Sequence, residues 1–158
     1  QGISRGERMD YAIQKSIELG VTEITPLFTE FCQMQLSSHR IEKRVAHWQA
    51  IAISAAEQSG RTTVPTIHPP DNFLTWIKQS CALKVICTPK QALPVTALPK
   101  SNSVLLAIGA EGGFSDQEMI AAQFAGCQPL SLGPRILRTE TAPVVALTVL
   151  QLFCLENL

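Results

Sequence analysis

No run of apolar residues in this chain approaches the ~20 needed to cross a bilayer, which excludes a helical membrane protein. The cysteines form no Cys-x-x-Cys pair, and with the three histidines they make no metal-ligand spacing. Cys32, Cys81, Cys87, Cys127 and Cys154 are odd in number and sit in apolar contexts, as buried thiols in a reducing cytoplasm do. His39, His47 and His68 lack a helical i,i+4 metal partner, so no metal is expected. Net charge is also absent. Thirteen basic residues balance thirteen acidic ones, so bulk electrostatics neither demands nor excludes a nucleic-acid partner. Internal repeats and low-complexity segments are missing. The start, Gln1-Gly2-Ile3-Ser4-Arg5, has neither an initiator Met nor a signal-peptide core, and reads as a fragment whose upstream part is missing.

What is present describes a core-rich globule. Apolar residues make up 46% and charged residues 16% of 158 positions, enough for one α/β domain over residues 1–158. Apolar periodicity predicts a helix over Glu7–Leu19, carrying Met9, Ala12, Ile13, Ser16 and Ile17 on one face and stopped by Gly20. Glu23–Phe28 reads as a strand placed at an end or edge by Pro26. A long helix over His39–Gln58 is expected to be capped by Ser38 and ended by Gly60. Further elements are a short strand Val64–Ile67, a helix to Gln79 capped by Asp71, and a strand Leu83–Cys87 turning at Thr88-Pro89. A loop or short element over Val95–Asn102, a strand Val104–Ile108, a helix Ser115–Phe124 and a strand Pro129–Leu132 follow. The last element is a helix Thr141–Leu155, with Pro143 harmlessly in its first turn. Alternating strands and helices imply a mainly parallel sheet flanked by helices, with ligands beyond the carboxyl ends of its strands.

Two turns fall there. Leu105-Leu106-Ala107-Ile108-Gly109-Ala110-Glu111-Gly112-Gly113-Phe114-Ser115 runs from a buried strand into a glycine turn around one carboxylate, and Ser115 with Glu118 then opens a helix by capping-box spacing. Leu132-Gly133-Pro134-Arg135-Ile136-Leu137-Arg138-Thr139-Glu140-Thr141-Ala142 is the second. Neither is a Gly-x-x-x-x-Gly-Lys-Ser/Thr phosphate loop, a Gly-x-Gly-x-x-Gly fingerprint or a Gly-x-Ser-x-Gly elbow, so NTPase, dinucleotide and serine-hydrolase chemistry have no anchor. Arg138 and Glu140 are either a surface ion pair at a helix start or part of a composite pocket shared by both turns. Gln58 and Arg61, where the long helix ends, reach either a neighbouring loop or a nucleic acid. Trp48 lies on an apolar stripe and reads as core. The basic groups Arg5, Arg8, Lys15 and Arg40, Lys43, Arg44 read as solvated helix faces.

Taken in order, several words resemble the RsmE-type 16S rRNA uridine-N3 methyltransferases of the SPOUT superfamily. They are Gln14-Lys15-Ser16-Ile17-Glu18-Leu19-Gly20-Val21 with Ile24-Thr25-Pro26-Leu27, Ala55-Ala56-Glu57-Gln58-Ser59-Gly60-Arg61 with Val64-Pro65, and the two glycine turns. The resemblance implies a C-terminal deep trefoil knot, S-adenosylmethionine as cofactor, a homodimer, 16S rRNA in the small ribosomal subunit as partner, and a cytoplasmic setting. It implies cofactor contacts from Thr88, Ile108, Gly109, Glu111, Gly112, Gly113, Leu132, Gly133, Ile136 and Leu137. Arg138, Glu140 and Glu111 become the candidate catalytic residues. Ala110 stands where the family commonly has Pro, and Phe31-Cys32 where it more often has Arg-Ser. The resemblance also implies an upstream PUA-like β-barrel domain, which residues 1–158 are expected to lack. A cofactor-binding dimerisation module, inactive on RNA without that domain, is the alternative reading. An unrelated α/β nucleotide-binding enzyme is disfavoured by the missing phosphate motifs.

Overall fold

The computed structural model describes residues 1–32, 38–89 and 92–155. Helix α1 (Glu7–Glu18) buries the five residues its periodicity selects, Met9, Ala12, Ile13, Ser16 and Ile17. Gly20 ends it with φ at 87°, a conformation only glycine adopts without strain. The segment after it is split by Pro26 into β1 (Glu23–Ile24) and β2 (Leu27–Phe28), which pair in parallel with β3 (Thr66–Ile67) and β4 (Asp71–Asn72). Of the two positions expected from Pro26, the strand end is the one realised, and β2 is not an edge. Leu27 is fully buried, with β4 on one side and the first residues of the chain on the other. Leu27 N–H donates to Gln1 O at 2.8 Å and accepts at its own carbonyl from Ile3 N–H at 3.0 Å. Only residue 26 lacks a donor, so the ladder resumes one residue later.

Helix α2 (Ser38–Gln58) packs Trp48, Ala52 and Ala55 against α1, and the indole of Trp48 donates to Asp10 Oδ1 at 3.2 Å. Trp48 is therefore core, as its stripe indicates. The expected cap at Ser38 concerns a side chain outside the described residues. Arg61 donates to Ile17 O and Val21 O at 2.9 and 2.7 Å. Its guanidinium thus covers the carbonyl end of α1, where a cation is favoured, and the loop-reaching alternative is the one realised. The helix expected from Asp71 is shorter and starts later. Asp71 lies in β4, Asn72 Oδ1 accepts from Leu74 N–H, and α3 covers only Phe73–Trp76.

The second half builds a three-stranded parallel sheet in the order β6 (Val104–Ala107), β5 (Leu83–Cys87), β7 (Gln128–Leu130). Val95–Ala97 forms a single 3₁₀ turn before β6. Helix α4 (Asp116–Phe124) opens with the capping box complete. Ser115 Oγ accepts from Glu118 N–H, and the Glu118 carboxylate accepts from Ser115 N–H. Helix α5 (Thr141–Phe153) carries Pro143 in its first turn and packs Ala146 and Leu150 inward, near α1. Its Leu152 and Phe153 remain 65% and 45% exposed. The two halves of the sheet meet through the chain start, where Gly2 N–H donates to Ile108 O at 2.7 Å. A Cβ on Gly2 would lie 2.3 Å from Ala110 N, so only glycine fits that crossing. Among the described residues no helix is long and apolar enough to span a membrane.

Candidate functional site

Because β5, β6 and β7 run parallel, their carboxyl ends emerge on one edge, and the three segments that follow enclose a cleft of about 580 Å³. From β5 come Cys87, Thr88 and Pro89. From β6 comes the turn Ile108–Gly113. From the segment after β7 come Leu132, Gly133 and residues 135–140. All twelve residues singled out from the sequence as cofactor-binding or catalytic line this one space, although they span more than fifty positions of chain. Arg8, on α1, joins them from the far half of the fold.

The glycines of the first turn serve two different purposes. A Cβ on Gly109 would come within 2.9 Å of Gly113 Cα, and one on Gly112 within 2.5 Å of Phe31 Cβ. These two positions are small because protein packs against them. Gly113 and Gly133 instead face open space with φ at 70° and 106°, so glycine is required there by backbone conformation. The turn closes through Gly113 N–H to Ala110 O at 2.9 Å, and Phe114 anchors its exit by packing on Phe73, ring centroids 4.7 Å apart.

Thr139 fastens the second turn to the first. Its hydroxyl donates to Gly109 O at 2.8 Å and accepts from Gln1 Nε2 at 3.1 Å, with the residue only 7% exposed. Sequence reasoning passed over Thr139, because a threonine between two charged residues has no signal until its long-range partner is known.

The two carboxylates in the cleft differ sharply. Glu111 Oε1 accepts from Arg5 N–H at 3.0 Å and from Arg8 Nη1 at 3.3 Å. Partial burial pushes its acidity the other way. The hydrogen bonds from the Arg5 and Glu111 backbones and from the Arg8 guanidinium outweigh that and hold the carboxyl below its ordinary 4.5. Glu140, which precedes α5, has one carboxylate oxygen buried without a hydrogen-bond partner. It forms no ion pair with Arg138, whose exposed guanidinium has no acidic partner among the described residues, so the surface-pair alternative fails. At the floor, burial raises the Cys87 thiol to about 12, which leaves it a neutral, unreactive wall. No group of His, Cys, Asp and Glu able to hold a metal occurs among the described residues. Apolar walls, turn backbone, one unpartnered carboxylate oxygen and the exposed guanidinium groups of Arg135 and Arg138 suit an organic ligand with a flat apolar part and polar or charged groups.

Known proteins resemble the chain over nearly its whole length. A ribosomal RNA small subunit methyltransferase E from Buchnera aphidicola is 44% identical over 155 residues, covering 96% of this chain and 63% of that protein. The protein of the same name from Bacillus subtilis is 32% identical and is covered over 62% of its length. The chain thus spans somewhat over three fifths of the curated relatives it matches. Among solved structures, a Legionella pneumophila methyltransferase with bound S-adenosylmethionine superposes with a TM-score of 0.93 at 44% identity, covering 96% of this chain and 64% of that one. A Neisseria gonorrhoeae ribosomal RNA small subunit methyltransferase E, also bound to S-adenosylmethionine, gives 0.91 at 41% identity, covering 98% and 64%. A family model described as an RNA methyltransferase domain matches residues 1–151, a span that takes in every loop around the cleft, and the chain belongs to that family.

Proposed function

We propose that this chain is the catalytic domain of an S-adenosylmethionine-dependent methyltransferase acting on N3 of a uridine in 16S rRNA of the small ribosomal subunit. The observation that carries the reading is the convergence of three strand-end loops on one cleft, in a fold shared with two structures that hold that cofactor. The cleft volume lies in the range of about 300–1,000 Å³ usual for such ligands. Bound there, S-adenosylmethionine supplies a methyl group activated by its sulfonium.

The protein's own share follows from its geometry. Ile108, Leu132, Ile136 and Leu137 offer apolar walls to an adenine, and the backbone of the Gly133 turn offers polar groups to a ribose. Uracil N3 is paired in a duplex, so the target base must leave its stack before it reaches the cleft. Arg138, exposed and without an acidic partner, stabilises negative charge on a uracil oxygen as the N3 proton departs. Glu140 is the proton acceptor rather than Glu111. The latter is committed to Arg5 and Arg8 and made less basic by them, whereas Glu140 keeps a free acceptor oxygen. Most of the rate gain comes from holding N3 in line with the transferred carbon.

Three further parts belong to the same reading. The segment after β7 threads into a deep trefoil knot, two copies pair through the apolar face of α5 that leaves Leu152 and Phe153 exposed, and the protein works in the cytoplasm where ribosomes are assembled. Calorimetric titration with S-adenosylhomocysteine tests the core of the proposal. Saturable micromolar binding, abolished by Gly133→Arg, is expected, and a folded protein that binds none would overturn it. With purified small subunits as substrate, Arg138→Ala should lower turnover at least tenfold, and a change within a few-fold would remove Arg138 from its role. Sedimentation at micromolar concentration should give a dimer mass, reduced to a monomer by Leu152→Glu with Phe153→Glu.

A further inference from the structure

Gly112 lines two hollows at once. One is the cleft just described. The other, of about 490 Å³, is bounded by Glu30, Phe31, Cys32 and Gly112. Phe31 is seated against Gly112 where the two meet, because a Cβ on Gly112 would stand 2.5 Å from Phe31 Cβ and 3.2 Å from Cγ. The loop that carries the ring is fixed as well. Glu118 Oε1 accepts from Glu30 N–H at 2.9 Å, and Cys32 N–H donates to Thr29 O at 2.9 Å. Yet the Phe31 side chain stays 47% exposed. A phenyl ring rooted beside a reaction cleft, with much of its surface in water, is the arrangement that unstacked nucleobases use as a platform. Among the described residues the second hollow is lined by a carboxylate, Glu30, and by neither Lys nor Arg, so it suits a neutral base better than a phosphate.

We propose that Phe31 is the stacking platform for the extruded target base, a pyrimidine of single-stranded RNA, and presents the edge of that base across Gly112 to the cleft. The inference rests on the methyltransferase reading and adds to it the residue that positions the substrate. Phe31 takes no part in the chemistry; it places the base, and its side chain acts through ring area.

The test uses hexauridylate as probe, followed by ligand-observed NMR, with S-adenosylhomocysteine at saturation. Calorimetry with S-adenosylhomocysteine and sedimentation run beside it. Phe31→Ala and Phe31→Leu should each weaken hexauridylate fivefold or more, given that stacking contributes about 1–3 kcal/mol per base. Phe31→Trp should match or exceed the wild type, and cofactor-analogue affinity and oligomeric mass should stay unchanged in all three. Wild-type affinity in Phe31→Leu would overturn the proposal, since a merely space-filling side chain would then suffice. So would a change of mass in Phe31→Ala, which would make the ring an interface residue, or a wild type that binds no hexauridylate. If the wild type fails to bind S-adenosylhomocysteine, the cofactor reading falls alone, and the hexauridylate series run without it still decides the role of Phe31.

Discussion

Glu118 reaches across 88 positions of chain to hold Glu30, its Oε1 accepting from the Glu30 N–H at 2.9 Å while its Oε2 accepts from Ser115 N–H at the same distance. One buried carboxylate therefore closes a local capping box and ties the Phe31 loop to the helix that leaves the glycine turn. Glu118→Gln keeps the shape but replaces one acceptor oxygen with a donor that opposes an N–H. Stability should fall by about 1–3 kcal/mol, seen as a Tm lowered by several degrees. An unchanged Tm would show that the loop is held by other contacts.

Thr139→Val removes the hydroxyl that joins the two turns and leaves Gly109 O without its donor in a buried place. A loss of about 1–3 kcal/mol is expected, together with weaker S-adenosylhomocysteine binding. Thr139→Ser should recover most of both in calorimetry and thermal unfolding, because it keeps the hydroxyl. Equal loss in the serine variant would assign the effect to the methyl group instead.

Glu111 has its folded acidity shifted below the ordinary 4.5, so its contribution to stability is fully present above the unfolded value and is lost as pH falls through the folded one. Glu111→Gln should therefore be less stable than wild type near neutral pH, and the gap should close as the solution is acidified through the lowered pKa of Glu111. The Arg8–Glu111 pair is half exposed, so the gap should be small. Urea unfolding at a series of pH values checks the sign, and a gap independent of pH would contradict it.

Gly112→Ala and Gly133→Ala separate packing from conformation. The first pushes a methyl into Phe31 and should weaken hexauridylate binding while the cofactor analogue still binds. The second meets no atom within 4 Å but forces a side chain onto φ of 106°, a strain of order 1–3 kcal/mol, and should lower both stability and cofactor-analogue affinity. The two variants compared by calorimetry should thus fail differently.

Much of this architecture was legible before any coordinates. The capping box at Ser115 and Glu118, the buried face of α1 and the strand at Leu83–Cys87 each announce themselves through local spacing, and the structure places them as expected. The candidate residues of both turns also meet in one cleft, because parallel strands send their carboxyl ends the same way. What stayed hidden depends on partners remote in sequence. Gly2 is a glycine because Ala110 passes over it, and Gly112 is one because Phe31 packs against it. Local pattern carries no trace of a contact made a hundred residues away. Pro26 left two readings open, an end or an edge, and the structure selects the end: it lies in the break between β1 and β2, while its neighbour Leu27 is flanked on both sides.

The seam at Gly2 has a consequence for how the domain forms. The opening residues wait beside Leu27 for a backbone acceptor, Ile108 O, that a ribosome delivers only after another eighty residues or so of synthesis. Until then the first half offers an unfilled strand edge to its surroundings. Such non-local closure folds slowly and leaves the nascent chain open to pairing with its neighbours. The domain is thus one whose emergence during synthesis calls for shielding of that edge until its second half arrives.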